Sequence, residues 1–424
     1  MKNFFKSIVA IVLWLFARAV VRRYRPHIVM VTGSVGKTST KDAVAAVLSA
    51  RFFVRKSEKS FNSEFGVPFT ILGVGNPWGN PFAWIALVKS AIALLILPNH
   101  YPNMLVLETG ADRSGDLARI LRIATPDTVV VTRLPEIPVH VEAYASPEAV
   151  REEEFSPAYA LPPAAPLIIP ADDPYASDMA MRTQARVISY GVADSAAVRI
   201  SNADFYDHEG NVAGMSADVV AGDEHGSLRV RGSVGKTQLL PAAAALAVAR
   251  AFLIPLSEAL GALESYEPPP GRGRLLAGKN DSIIIDDSYN ASPAAVEEAL
   301  ATLKAFPRAR RRIAVLGDML ELGRYSVMEH EHIGTVADAA ADMIIAVGIR
   351  ARAFAHACGD SKVLSFDNSR AASLALADIV RAGDVVLVKG SQSIRTERIV
   401  EALLANSADA SRLVRQEKKW KQKA

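Results

Sequence analysis

Residues 27–48 read HIVMVTGSVGKTSTKDAVAAVL and set the architecture of the chain. Residues 28–31 are a short apolar, β-branched run of the kind that forms a buried parallel strand. A glycine-bearing turn follows at residues 32–37, and residues 38–48 then space their apolar side chains as a helix does. A strand, a glycine turn, Lys-Thr and a helix together predict a phosphate-binding loop.

The loop residues differ in their predicted roles. The glycines let the backbone approach an anion, and the start of the following helix directs free N–H groups at it. Lys37 is expected to neutralise β/γ-phosphate charge, and the Thr38 hydroxyl to ligate Mg²⁺. The spacing T-G-x-x-G-K-T is shorter than a strict Walker motif, so an ordinary strand–helix turn with a surface lysine is the alternative. The predicted nucleotide contacts of the loop are Gly33, Ser34, Gly36, Lys37, Thr38 and Ser39.

Composition narrows the class of protein. A chain of 424 residues exceeds one ordinary core, so two or three domains are expected. A hydrophobic content of 50% and a net charge of +3 argue against disorder and against nucleic acid as a partner. Cys358 is the only cysteine, which excludes an internal disulfide and a cysteine-based zinc site.

The N-terminal segment is apolar. Residues 4–21 are roughly long enough to span a thin bilayer, and the arginines after them outnumber the lysines before them. We therefore expect residues 1–25 to form a membrane-anchor helix, with the rest of the chain at the cytoplasmic face of the membrane. A helix lying on the membrane surface and a cleaved signal peptide are the alternatives. Residues 82–97 are a second apolar run, too short for a span, and predict a buried or membrane-contacting helix.

The remaining chain alternates between apolar strands and helical stretches. This order predicts an α/β protein with mostly parallel sheets, in which functional residues follow the strand ends. Residues 198–230 break the alternation and predict a small antiparallel piece. The proline run at 268–270 is the clearest linker. We predict a P-loop central domain with a parallel sheet at 26–267 and a C-terminal Rossmann-like α/β domain at 268–424, preceded by the hydrophobic helix.

Polar residues follow several predicted strands. Glu108 directly follows the predicted strand at 105–107, a place where a carboxylate could hold Mg²⁺ or be a surface charge. His140 could ligate a metal or be structural. The segments DDSYNASP at 286–293 and GDMLELG at 317–323 also stand at strand exits.

Taken together, VTGSVGKTST, LVLETGADRSGDL, IIDDSYNASPAAVEEAL and AVLGDMLELG resemble the Mur ligases, ATP-dependent enzymes that add amino acids to the peptidoglycan precursor. The likeness runs from about residue 28 to 400. Within the family it is closest to the members that add D-alanyl-D-alanine to a UDP-muramoyl tripeptide. The resemblance implies that a cell-wall precursor carboxylate is phosphorylated by ATP and that an amino acid or dipeptide amine attacks the acyl phosphate.

The resemblance also implies site roles. Lys37 and Thr38 would hold the β/γ-phosphates and one Mg²⁺, with Glu108 as a further metal ligand and His140 at a second magnesium site. From the second domain, Arg272 or Arg274 would reach a phosphate, and the ribose and nucleotide would be contacted by Asp287 and Asn290.

Three departures from the family pattern leave alternatives open. Glu154, or else Glu153, stands where the family has a carbamoylated lysine, and a carboxylate is what carbamoylation creates; a solvated acidic turn is the alternative. Gln238 replaces family asparagines that contact nucleotide, within a second copy of GSVGKT at 232–237.

The third departure is that the separate domain that grips the UDP-sugar has no counterpart before the loop. A ligase for another carboxylate, such as a folate-like polyglutamate or a lipid-linked wall peptide, therefore stays open, as does a nucleotide-binding scaffold without catalysis.

Overall fold

The computed structural model describes residues 2–58, 61–78, 80–358 and 362–421. Within them the chain forms two sheets, both mostly parallel, which confirms the predicted α/β class. The first sheet has the order β2-β3-β1-β4-β5-β6-β7-β8-β9 and consists of β1 (His27–Thr32), β2 (Val54–Lys56), β3 (Met104–Glu108), β4 (Thr128–Val131), β5 (Pro166–Pro170), β6 (Arg186–Gly191), β7 (Val198–His208), β8 (Asn211–Ala221) and β9 (Glu224–Arg231). The second has the order β10-β11-β15-β12-β13-β14 and consists of β10 (Arg274–Gly278), β11 (Ser282–Asp287), β12 (Arg311–Gly317), β13 (Met343–Val347), β14 (Val363–Phe366) and β15 (Asp384–Lys389).

Helices cover the faces of both sheets. In chain order, those in the described residues are α1 (Lys2–Tyr24), α2 (Lys37–Leu48), α3 (Gly66–Leu72), α4 (Pro81–Ile96), α5 (Asp116–Leu121), α6 (Pro147–Tyr159), α7 (Pro174–Ala180), α8 (Leu239–Ala251), α9 (Leu256–Leu263), α10 (Pro293–Ala305), α11 (Ser326–Ala340), α12 (Phe354–Ala357), α13 (Ser369–Ile379), α14 (Glu397–Leu403) and α15 (Lys418–Lys421).

Strand β1 lies in the middle of the parallel part of the first sheet. It pairs with β3 on one side and β4 on the other, and from Ile28 onwards its residues are buried. That double burial explains its unbroken apolar sequence. Strands β3 and β4 lie on opposite sides of β1, and in such sheets ligands bind at the carboxyl ends of the strands, where the strand order reverses.

The antiparallel piece predicted at 198–230 is larger than expected. Strands β7, β8 and β9 form long antiparallel pairs, and β7 joins β6 in parallel through Tyr190 and Val198. They therefore extend the first sheet. Alternating polarity identified the strands but carried no information about the edge they join.

Helices α2 and α8 pack side by side beneath the first sheet. The α8 sequence LLPAAAALAVARA is alanine-rich, and every residue from Ala242 to Ala249 is buried. On α2 the buried residues include Ala43, Val44 and Val47. Small side chains at the contact let the two helix axes approach closely.

The N-terminal helix corrects one prediction. Leu13, Ala17 and Val20 of α1 are fully buried, and the helix packs on α3 and α4. Within the residues described, no helix combines the length and apolar character needed to cross a bilayer, so the spanning anchor predicted at 1–25 finds no support. Helix α4 buries only Leu87 and Ala91 and leaves its opposite face exposed.

Candidate active site

The loop after β1 has the predicted strand–turn–helix geometry. Gly33 and Gly36 adopt left-handed backbone angles, with φ of 110° and 92°. A Cβ on Gly33 would lie 2.5 Å from the Thr132 side-chain oxygen at the end of β4, so only glycine permits this approach. Gly36 caps α2, whose first residue is Lys37. The free N–H groups of the first turn of α2 therefore lie at the loop.

Lys37 and Glu154 face each other across this loop. The Lys37 ammonium donates to the carbonyls of Gly33 and Ser34, and it lies 3.9 Å from Oε1 of Glu154. Glu154 comes from α6, is buried, and accepts a hydrogen bond from the Ser34 hydroxyl through Oε2. Burial raises the pKa of this carboxyl, against the opposing effects of Lys37, Ser34 and His140. Glu154 is therefore a buried carboxylate at the phosphate-binding loop.

The neighbouring glutamates have other partners. Glu153 accepts hydrogen bonds from the backbone N–H of Leu117 at 2.9 Å and of Gly115 at 3.0 Å, and so caps α5. Glu152 pairs with Arg182 on the surface. Of the two candidates for the acidic position, the geometry thus favours Glu154.

Glu108 and Thr38 form a second polar pair beside the loop. The Thr38 hydroxyl donates to Oε1 of Glu108 at 3.2 Å. Oε2 accepts no hydrogen bond from the described residues and lies 3.7 Å from the Lys41 ammonium. Burial raises the pKa of Glu108, while the charges of Lys41, Lys37 and Arg272 lower it.

The Thr38–Glu108 pair fits a magnesium ion. A hydroxyl and a buried carboxylate with an unsatisfied oxygen are the ligands that a hard divalent cation prefers. Among the described residues, no group of three or more acidic, histidine or cysteine side chains could hold a metal. Mg²⁺ commonly takes its other ligands from phosphate oxygens and water, and a cation at this pair would do the same.

His140 is not brought to Thr38 and Glu108. It has a left-handed backbone angle of 67°, and its Nδ1 lies 2.7 Å from Oε2 of Glu321, with Nε2 3.6 Å from Asp112. Burial lowers the pKa of His140, but the hydrogen bond and charge of Glu321 and the charge of Asp112 outweigh it, so the pKa is raised overall. A metal ligand needs the neutral ring, and in this structure the Nδ1 of His140 is engaged by Glu321. The predicted metal role thus requires Glu321 to move away.

The linker before β10 carries an arginine to the loop. The Arg272 guanidinium lies 4.2 Å from the centre of the Tyr289 ring, and its charge acts on Glu108. Its buried Nε has no hydrogen-bond partner among the described residues. Arg274, the alternative, instead donates to Glu267 at 3.0 Å. Arg272 is therefore the arginine that faces the nucleotide loop.

The second GSVGKT copy supports that arginine. The Ser233 hydroxyl donates to the Arg272 carbonyl, and the Val234 N–H donates to the Gly273 carbonyl at 2.8 Å. This copy continues into a 3₁₀ turn at Lys236–Gln238 and then α8. The Gln238 side-chain oxygen is buried and has no partner within the described chain. Its position near Gly273 leaves it able to accept a hydrogen bond.

The second sheet contributes the DDSYN segment after β11. Oδ2 of Asp287 lies 2.7 Å from the Lys389 ammonium, which also donates to the Asn290 carbonyl at 3.0 Å. Lys389 is buried at the end of β15. The predicted ribose contact Asp287 is thus held in an ion pair, and the pair fixes the segment to the neighbouring strand.

Sequence reasoning missed two residues that hold this segment. Lys389 follows an apolar strand, the same pattern that singled out Glu108, and could have been found. Arg415 could not, because it stands in a basic C-terminal tail. It donates to the Ser288 carbonyl at 3.1 Å, to the Tyr289 carbonyl, and to Glu397 at 2.9 Å.

Comparisons with known proteins agree along most of the chain. Residues 86–249 match the profile of the Mur ligase middle domain, and residues 271–392 match that of the Mur ligase, glutamate ligase domain. UDP-N-acetylmuramoyl-tripeptide–D-alanyl-D-alanine ligase of Mycobacterium tuberculosis is 30% identical over 419 residues, covering 91% of this chain and 74% of the relative. The ligase of the same name from Escherichia coli is 27% identical over 382 residues, covering 90% and 77%.

Solved structures extend the likeness to the fold. The MurF ligase of Thermotoga maritima in complex with ADP is 26% identical with a TM-score of 0.75, covering 93% of this chain and 83% of that one. Folylpolyglutamate synthase of Mycobacterium tuberculosis, at 15% identity and a TM-score of 0.65, shares the fold over 92% and 94% of the two chains. The profile matches and the relative at 30% identity show the family. The chain is a member of the Mur ligase family, and thus an ATP-dependent ligase that joins an acid to an amino acid.

Proposed function

We propose that this ligase activates the carboxylate of a muramoyl-peptide cell-wall precursor with ATP and joins it to the amine of D-alanyl-D-alanine or a similar amino acid or dipeptide. One observation carries the proposal most directly. Lys37 and the buried carboxylates Glu108 and Glu154 converge on the same loop, and Arg272 reaches it from the other sheet. The relatives named for that reaction align with about nine-tenths of this chain, which supports the substrate class.

Phosphoryl transfer is assigned to the loop. Lys37 and the first turn of α2 would hold the β- and γ-phosphates of ATP, and Arg272 would add positive charge from the opposite side. The substrate carboxylate oxygen forms a bond to the γ-phosphorus as the bond to the ADP oxygen breaks. Such a transfer is catalysed by positioning and charge stabilisation, without a protein nucleophile.

Thr38 and Glu108 would hold the magnesium ion that accompanies ATP. When bound, this ion neutralises charge on the phosphate oxygens. The raised pKa of Glu108 has a consequence for binding, because a proton competes with the cation for the buried carboxylate. The Oε2 atom of Glu108, which accepts no hydrogen bond from the described residues, is what supports this assignment.

Amide formation then consumes the acyl phosphate. The amine nitrogen attacks the acyl carbon, the carbon–oxygen bond to phosphate breaks, and phosphate leaves with the electron pair while the nitrogen loses a proton. We assign to Glu154 the place of the family's carbamoylated lysine, near a second magnesium site that His140 would join once Glu321 releases it. The burial of Glu154 and its Ser34 hydrogen bond support a fixed carboxylate there.

The test is substrate-dependent release of ADP and phosphate. The purified chain is offered ATP, UDP-muramoyl-tripeptide and D-alanyl-D-alanine, each omitted in turn. Turnover should need all three, vanish in Lys37→Ala, and fall at least about 100-fold in Glu154→Gln, a loss typical of removing one charge-stabilising group. Glu152→Gln is the matched control, because it changes a surface carboxylate on the same helix.

Two results would overturn the proposal. Turnover with a different carboxylate, such as a folate-like polyglutamate, but not with the muramoyl peptide would reassign the substrate. ATP binding without turnover on any acceptor, in a correctly folded protein, would favour a nucleotide-binding scaffold. Equal activities of Glu154→Gln and Glu152→Gln would remove Glu154 from the site.

A further inference from the structure

Helix α4 exposes an apolar face that nothing in the described structure covers. Leu87 and Ala91 are buried against the protein. On the opposite side of the helix, Phe82, Ile85 and Ile96 are 78%, 59% and 69% exposed. A helix that is apolar on both faces is normally buried all round, and large exposed apolar patches mark interaction sites.

Helix α1 adds a second strip to this surface. Ile11 and Leu15 are more than half exposed and lie opposite the buried residues Leu13 and Ala17. The two helices pack together, and the Arg23 guanidinium donates to the carbonyls of Leu95 and Leu97 at the end of α4. We call this surface the α1–α4 face; its exposed apolar side chains are Ile11, Val12, Leu15, Phe82, Ile85, Val88, Ile92, Ile96 and Leu97.

The charges on α1 and α4 are all of one sign. Residues 9–25 contain four arginines, residues 81–98 contain one lysine, and neither segment contains an aspartate or glutamate. Lys89 lies within the exposed stripe of α4, and Arg22 and Arg25 are exposed at the end of α1. Glu64, which borders Ile11 in a shallow cleft, is already paired with Arg119 at 2.9 Å.

This charge pattern selects among occupants. In a symmetric contact between two copies of the chain, the basic residues of the face would meet their own counterparts with no acid on either helix to pair with them. An anionic surface instead offers a partner to the exposed residues Lys89, Arg22 and Arg25. Apolar side chains inserted between acyl chains, with lysine and arginine at the headgroups, are how interfacial helices bind membranes.

We propose that the α1–α4 face binds peripherally to the surface of an anionic lipid bilayer, without crossing it. The exposed aliphatic and aromatic side chains enter the headgroup and upper acyl region, and Lys89, Arg22 and Arg25 lie among the phosphates. Trp78 precedes α4, is exposed, and makes an edge-to-face contact with Trp84 of α4. In this arrangement its indole ring lies at the level of the lipid headgroups, where tryptophan is enriched in membrane proteins.

Binding is measured with the full chain and sedimented vesicles. The fraction of protein that sediments with vesicles of phosphatidylglycerol and phosphatidylcholine should be at least 10-fold higher than with pure phosphatidylcholine, and added salt should lower it. The double variant Ile85→Asp/Ile92→Asp should lose it, and Lys89→Glu should reduce it. Met181→Asp is the matched control, because Met181 is more exposed than either isoleucine but lies after α7 and not on α1 or α4.

Tryptophan fluorescence supplies a test that needs no variant. Brominated acyl chains in anionic vesicles should quench the emission of the unmodified protein, since Trp14, Trp78 and Trp84 lie on or beside the α1–α4 face. Absence of quenching and of sedimentation would overturn the proposal. A concentration-dependent dimer that disappears in Ile85→Asp/Ile92→Asp, with no vesicle binding, would overturn it in favour of a second copy. ADP release in solution is measured separately, so failure of the ligase assay does not affect this result.

Discussion

The imidazole of His140 and the carboxylate of Glu321 face each other at 2.7 Å across the boundary between the two sheets. His140 precedes a 3₁₀ turn that follows β4, and Glu321 lies in the GDMLELG loop after β12. The loop comes so close that a Cβ on Gly323 would lie 3.0 Å from the Glu142 side chain. The ion pair therefore joins the halves of the molecule beside the nucleotide loop.

We expect Glu321→Gln to lower the pKa of His140, because burial then acts without the main opposing partner. The pKa of His140 is raised and that of Glu321 is lowered in the pair. The ion pair therefore contributes its full stabilisation between the ordinary glutamate pKa of 4.5 and the ordinary histidine pKa of 6.5. That stabilisation is lost as the pH rises through the raised pKa of His140 or falls through the lowered pKa of Glu321. NMR titration of the ring measures the change, with Glu331→Gln at the surface His356 pair as control. An unaltered His140 titration would contradict the prediction.

Gly33→Ala should abolish nucleotide binding and destabilise the fold. The left-handed backbone angle costs a non-glycine residue about 1–3 kcal/mol, and the contact with Thr132 at 2.5 Å adds to it. Gly115→Ala has a similar angle of 85° but open space around its Cβ, so it should show the backbone cost alone. Urea unfolding and ATP binding compare the two variants. Equal stability and retained ATP affinity in Gly33→Ala would contradict the prediction.

Arg415 should act on nucleotide affinity through the DDSYN segment. Arg415→Met removes the donor to the Ser288 and Tyr289 carbonyls, while Glu397 keeps Arg395 as its partner, so the expected cost is about 1–3 kcal/mol for each carbonyl left without a donor. Glu397→Gln keeps both donors of Arg415 but takes the carboxylate from Arg415 and Arg395, so it should lower stability without raising the KM for ATP. An equal rise of the KM in both variants would show that Arg415 is only structural.

The buried carboxyl of Asp286 should make stability depend on pH. Burial raises its pKa to about 6 from 3.8, although its Oδ1 accepts hydrogen bonds from the Ser288 N–H and hydroxyl. The folded state therefore holds more protons than the unfolded state between these values. Its contribution to the free energy of unfolding falls by about 3 kcal/mol as the pH rises through that window. The difference in unfolding free energy between wild type and Asp286→Asn, followed from pH 4 to 7, measures it. A difference that stays constant would contradict the assignment.

Local patterns predicted most of the fold. The strand expected at 28–31 is β1, and the apolar run at 82–97 is α4, each within about one residue at either end. Lys37, Thr38 and Glu108 meet as expected, because parallel strands bring their carboxyl ends to one edge of the sheet. Their chemical roles stay predictions.

The rest depends on contacts between distant segments. The partner of His140 lies in the other sheet, and Arg415 contacts backbone carbonyls 126 and 127 residues away in the chain. The hydrophobic periodicity of a segment carries no information about contacts with residues so far away in the chain. The anchor predicted for residues 1–25 lacks support in the described residues for a related reason: hydropathy does not distinguish lipid from a neighbouring helix, and α1 buries Leu13 and Ala17 on protein.

The alanine-filled seam between α2 and α8 limits how the molecule can move. Each helix begins at or after one copy of GSVGKT, the first forming the predicted phosphate-binding loop and the second bonded to the backbone of Arg272. Interiors packed this tightly resist compression and transmit displacement. The packing of α2 on α8 therefore holds the two loops at a fixed separation. The backbone from Arg272 to Leu275 is hydrogen-bonded to this second copy, so the first residues of the second sheet are tied to the same seam. The distance of Arg272 from the first loop is thus set by the packing of two helices.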